Sequence, residues 1–212
     1  LRCRPPSTRE LENSGGADTI CVSFPEGGEV RVVNEKGREK TWEFDEVFNL
    51  DTTQAQVYAE VSDLVTSVLD GYNVCIFACK LFPLSSFLSL PHLLPPPLED
   101  GQTGSGKTFT MEGYGSEIGV SPRAVDQVFN VINNCTEDWS YTVTFSSLEI
   151  YNESIRDLLD NSGIKDKLDV RQTPEGNSVP GLTEIPVTHS AEVLDLMRQS
   201  QTNRAVGAHD MN

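Results

Sequence analysis

Apolar positions along this chain follow two rhythms that trade places from one segment to the next. Alternation comes first: Ile20-Cys21-Val22 and Val30-Arg31-Val32-Val33, parted by Pro25-Glu26-Gly27-Gly28, predict a β-hairpin. Trp42 and Phe44 predict a third short strand with both rings on one face. A helical rhythm follows, in which Asp51-Thr52-Thr53-Gln54 supplies cap chemistry and Val57, Val61, Leu64, Val65, Val68 and Leu69 form the apolar stripe until Gly71 stops it. The short run Asn73 to Ala78 is then apolar without alternation, the pattern of a strand buried on both faces.

Further on, Thr108 to Glu112 begins a helix, and Ser121-Pro122-Arg123 opens another with Val125, Val128, Phe129, Val131 and Ile132 on its apolar face. Tyr141 to Phe145 alternates as a strand and continues into Leu148 to Tyr151. Thr173 to Asn177 is turn chemistry, and Ser190 caps a last helix carrying Val193, Leu194 and Met197. Strands and helices interleave, which predicts an α/β domain, with neither internal repeat nor coiled-coil heptads.

One stretch obeys neither rhythm. Of the 21 residues from Lys80 to Asp100, 17 are Leu, Ser, Pro or Phe, and prolines at 83, 91, 95, 96 and 97 exclude a regular helix, a central strand and a membrane span. Those four residue types all have codons made only of pyrimidines, so the segment reads as translated sequence from the end of an unspliced intron. A genuine surface loop is the alternative, against which stands the rarity of such long loops inside a domain. Closing it costs only ~3 kcal/mol of chain entropy, so looping out is physically open to it.

Composition narrows the function. With 212 residues and a hydrophobic share of 37%, the chain can build one sizeable core. Its 32 acidic residues against 16 basic ones give a net charge of −16, which repels nucleic acid and anionic membranes and excludes both as general partners. The same field opposes an acidic filament, so any such contact needs a local basic patch. Five cysteines, an odd number without a CxxC pair, predict reduced thiols and no zinc site. The opening Leu1-Arg2-Cys3-Arg4 has neither initiator Met nor signal region and reads as the interior of a longer chain.

The chemistry is concentrated in Gly101-Gln102-Thr103-Gly104-Ser105-Gly106-Lys107-Thr108, a full match to G-x-x-x-x-G-K-[ST] between a strand candidate and a helix candidate. Its glycines let the backbone turn tightly and aim N–H groups at phosphates. Lys107 would reach the β and γ phosphates, and the Thr108 hydroxyl would ligate Mg2+.

With the segment from Lys80 to Asp100 skipped, Asp70 to Ala78, the loop itself and Phe109-Thr110-Met111-Glu112-Gly113 together resemble the kinesin motor domain. Leu1 to Pro5, Ser147 to Glu153 with Arg156 to Leu159, and Asn203 to Ala208 fit the same family in the same order. The wording of Asp70 to Ala78 is most similar to the C-terminal-motor, minus-end-directed class. The resemblance implies an α/β fold of the P-loop NTPase type, three layers around a central, mostly parallel sheet, here truncated, with 1–212 as the nucleotide-binding front portion and 80–100 as an insertion. It implies an ATP hydrolase that moves along microtubules in the cytoplasm and dimerises through a coiled coil outside this chain, with ATP and Mg2+ bound.

By that resemblance Arg2, Arg4 and Pro5 lie on the adenine side, and Phe109 takes the place of the ring on the other face of the base. Ser147 to Glu153 is implied to be structural. The switch residues that complete catalysis are expected beyond Asn212, so no catalytic residue is assigned, and this chain alone is expected to be a poor ATPase. His209 and Asp210 depart from the family's usual wording.

Overall fold

The computed structural model describes residues 1–6, 8–13, 21–34, 37–79, 105–135, 140–161, 168–174 and 176–209. Backbone contacts group the chain into two compact units, Leu1–Ser121 and Pro122–Asn212.

The first unit opens with α1 (Thr8–Asn13) and an antiparallel meander of β1 (Val22–Ser23), β2 (Glu29–Val33) and β3 (Glu39–Glu43). The expected hairpin forms with Val22 opposite Val32, and the third strand sets Val30 opposite Trp42. Alternation explains the burial: Val30 and Val32 are buried while Glu29, Arg31 and Val33 are half-buried. On the outer strand, Lys40 covers the Trp42 ring at 4.7 Å.

The expected helix after Thr53 is two helices, α2 (Gln54–Ala59) and α3 (Ser62–Leu69). Thr53 forms a full capping box with Gln56, its own N–H donating to Gln56 Oε1 at 2.9 Å. The continuous stripe breaks at Glu60 and Val61 because Ser62 Oγ donates to Ala59 O, a local side-chain bond that competes with the helical ladder. Val57 and Val65 are buried, whereas Leu64 and Val68 of the same stripe are exposed. Gly71 ends the pattern as expected, its N–H donating to Val68 O.

The expected buried strand from Asn73 to Ala78 is not formed. Tyr72 to Cys79 carries no regular structure, alternates between exposed and half-buried positions, and holds Phe77 83% exposed. A strand exists only through hydrogen bonds to a neighbour, and among the described residues none pairs with this segment. The unit continues with α4 (Lys107–Met111), the short hairpin β4 (Gly113–Tyr114) and β5 (Glu117–Ile118), and the first residues of α5 (Val120–Asn134).

In the second unit, the pattern from Tyr141 to Tyr151 divides into β6 (Val143–Phe145) and β7 (Leu148–Tyr151), which belong to different sheets. β7 pairs with β8 (Ser154–Asp157), β9 (Arg171–Thr173) with β10 (Gly176–Ser178), and β6 with β11 (Ile185–Val187). The continuous strand expected from Tyr141 to Tyr151 is divided at Ser146 and Ser147: Ser147 O accepts from Leu158 N and so already follows the β8 pairing, whereas β6 pairs with a different strand. Helix α6 (Ser190–His209) follows. Phe129 of α5, Val187 of β11 and Val193 of α6 form the buried cluster, packed by Val125, Val143, Phe145, Ile185, Leu196 and Met197. The ladders among the described residues are antiparallel, with one parallel bridge between Arg2 and Phe48. No helix among them is long and apolar enough to cross a membrane.

Candidate functional site

The glycine-rich motif enters the described residues at its second half; Gly101, Gln102, Thr103 and Gly104 lie outside them. Gly106 caps α4 at φ +81°, a left-handed conformation that suits glycine. Space is not the constraint there, since an added Cβ would meet Arg4 Cδ at an ordinary 3.9 Å. The Gly106 carbonyl accepts from Thr110 N at 2.9 Å and starts the helix. Lys107 is half-buried and Thr108 exposed. Ser105 Oγ is buried without a hydrogen-bond partner, the condition of a hydroxyl that an external oxygen could satisfy.

Arg2 is held from two sides. The parallel bridge fixes its backbone, with Cys3 N donating to Phe48 O at 3.0 Å and Phe48 N to Leu1 O at 2.8 Å. Its guanidinium donates through Nη1 to Gln54 Oε1 at 2.6 Å and to Thr110 Oγ1 at 2.9 Å, and through Nη2 to Thr52 O at 3.5 Å. It lies 5.3 Å from the centre of the Phe109 ring, within cation–π range. Burial draws the Arg2 pKa down and Glu117 opposes that shift; guanidinium stays charged at any pH the fold survives.

The expected adenine-side residues are thus partly brought together. Arg2 and Phe109 touch directly, Arg4 runs beside Gly106, and Pro5 contributes a carbonyl that accepts from Arg4 Nη1 at 2.9 Å. Two participants escaped the sequence reading. Gln54, taken there for cap chemistry, is 2% exposed and joins Arg2 to the carbonyl of Phe109; Thr110 is the second anchor of Arg2. The available signal was a glutamine three residues before Val57, hence a polar group on the buried face of a helix. Among the described residues no cluster of His, Cys, Asp or Glu could hold a metal.

A sequence of the G-x-x-x-x-G-K-[ST] pattern whose second half leads into a short helix, with a cation–aromatic pair beside it, points to the P-loop class of α/β protein. Known proteins narrow the class: the kinesin motor domain model matches residues 2–79 and 100–212. The chain belongs to the kinesin motor domain family. It is 40% identical over 212 residues to kinesin-like protein KIN-14E of Oryza sativa subsp. japonica, covering 100% of this chain and 18% of that protein. It is 37% identical over 213 residues to kinesin-like protein klp-3 of Caenorhabditis elegans, covering 100% of this chain and 31% of that one. The solved structure of a fast kinesin superposes with a TM-score of 0.80 at 33% identity, over all of this chain and 54% of that one. The chain therefore spans little more than half of that solved chain and a third or less of the two curated relatives. Its fold is the P-loop NTPase type of the kinesin motor domain, and its resemblance to C-terminal-motor kinesins extends over its whole length.

Proposed function

We propose that this chain binds Mg-ATP as the nucleotide-binding portion of a microtubule motor, in which hydrolysis drives movement along the filament in the cytoplasm. The observation that carries this reading is the complete motif Gly101 to Thr108 inside a family match on both sides of it. Gly101 to Gly106 would supply backbone N–H groups to the phosphates, and Lys107 a point charge to the outer two. Thr108 fits magnesium, which takes few protein ligands and completes its shell with water and phosphate oxygens. When bound, the ion would neutralise charge on the β and γ phosphates. Arg2, Arg4, Pro5 and Phe109 would form the base side. Binding rather than turnover is what these residues support, and microtubules and a second copy of the motor are the partners proposed for the intact protein.

Thermal denaturation tests the reading. Saturating Mg-ATP at a hundredfold excess over its dissociation constant should stabilise the chain by about 2.7 kcal/mol, and Lys107→Ala should abolish most of that gain. An unchanged melting temperature in the unsubstituted chain would end the proposal. Turnover assayed with and without microtubules then separates a working motor from a binding module.

A further inference from the structure

Gln54 is a polar residue only 2% exposed, and both ends of its amide are used. Oε1 accepts from Arg2 Nη1 at 2.6 Å, while Nε2 donates to the carbonyl of Phe109. Only one orientation of the amide satisfies both, because a guanidinium can only donate and a carbonyl can only accept. The Phe109 carbonyl lies in the last turn of α4, where helix carbonyls lack an intrahelical donor. Thus one side chain grips the backbone of Phe109 and also the cation that lies over its ring.

The geometry points to Gln54 as the positioning residue of the base subsite: it sets the Phe109 ring directly through the backbone and indirectly through Arg2. The inference rests on the nucleotide reading above and adds which residue governs recognition of the base. Arg2 acts here as a support for the ring, with Nη1 committed to Gln54 and Thr110. The guanidinium covers part of the ring, and the 38% of Phe109 left exposed is the surface on which a planar purine stacks. None of these bonds involves Lys107 or Thr108, so Gln54 should affect the base and leave the triphosphate alone.

Calorimetric affinities for Mg-ATP and for magnesium tripolyphosphate, which has the phosphates and no base, test this in the unsubstituted chain, Gln54→Met, Gln54→Glu and Thr110→Val. Gln54→Met keeps the shape and loses both bonds; it should weaken Mg-ATP by about tenfold while tripolyphosphate stays within about twofold. Gln54→Glu retains the acceptor for Arg2 but cannot donate to Phe109 O as a carboxylate, and should lose less. Thr110→Val removes the second anchor of Arg2 and should again weaken ATP selectively. Should Gln54→Met fail to fold, the Thr110→Val ratio decides. Equal losses for both ligands would reduce Gln54 to a structural role and overturn the inference, as would unchanged ATP affinity. Failure of the unsubstituted chain to bind either ligand would instead overturn the nucleotide reading itself, and the base subsite with it.

Discussion

Glu192 shows how a single side chain can begin a helix. Its Oε2 accepts from Thr188 N at 2.6 Å, from His189 N at 3.3 Å and from Thr188 Oγ1 at 3.2 Å, so it closes the start of α6 where Ser190 was expected to do so. The backbone N–H of Thr188 is the main reason its carboxyl titrates below the ordinary value, desolvation pulling the other way. A folded value lower than the unfolded one means that the contribution is fully present above the ordinary 4.5 and is lost as pH falls through the folded value. Melting curves of the unsubstituted chain and Glu192→Gln should therefore differ at neutral pH and converge as pH falls from the ordinary value through the lowered folded one. A gap that persists undiminished into acid would refute the assignment. The neighbour of Arg2, Cys3, behaves differently: burial raises its thiol pKa, so it stays protonated and weakly nucleophilic near neutrality.

Turns decide which elements form. The β7–β8 hairpin is closed by Asn152 at φ 46° and Glu153 at φ 61°, a two-residue turn with both residues left-handed. Asparagine tolerates that region and glutamate does not, so Glu153→Gly should stabilise the protein by about 0.5–1 kcal/mol, read from chemical denaturation. Gly113 presents the opposite case, at φ +90° with an added Cβ 2.1 Å from Glu117 O and 2.6 Å from Gly119 N. Both neighbours are backbone and cannot swing aside; Gly113→Ala should cost about 2–4 kcal/mol in the same measurement. Elements governed by such local rules were legible in the sequence: the alternating meander, the Thr53 cap and the Gly71 stop. Those that depend on distant partners were not. Asn73 to Ala78 has the composition of a central strand yet lacks a paired neighbour among the described residues. Gln54 joined the site only because the fold brings Arg2 and Phe109 to it from 52 and 55 residues away.

At the scale of the whole molecule, family and composition meet at one segment. The motor-domain match stops at Cys79 and resumes at Asp100, leaving out 80–99, a span almost coincident with the stretch from Lys80 to Asp100 that is built mainly of Leu, Ser, Pro and Phe. Removing Lys80 to Asp100 joins Cys79 directly to Gly101 and so places the apolar run Asn73 to Ala78 immediately before the phosphate loop. The chain entropy of closing a loop of that length, about 3 kcal/mol, would no longer oppose folding. For a chain of this size that corresponds to a rise in melting temperature on the order of 6–10 °C, with Mg-ATP affinity retained or improved because the loop is then tied to the segment that should position it. A deletion variant that melts lower, or loses its response to Mg-ATP, would make the segment an integral part of this motor. The net charge of −16 bears on the same experiment: it disfavours self-association of the exposed Phe77 and Tyr72 at low ionic strength, so the comparison belongs in dilute buffer, where the melting temperature reports folding rather than aggregation.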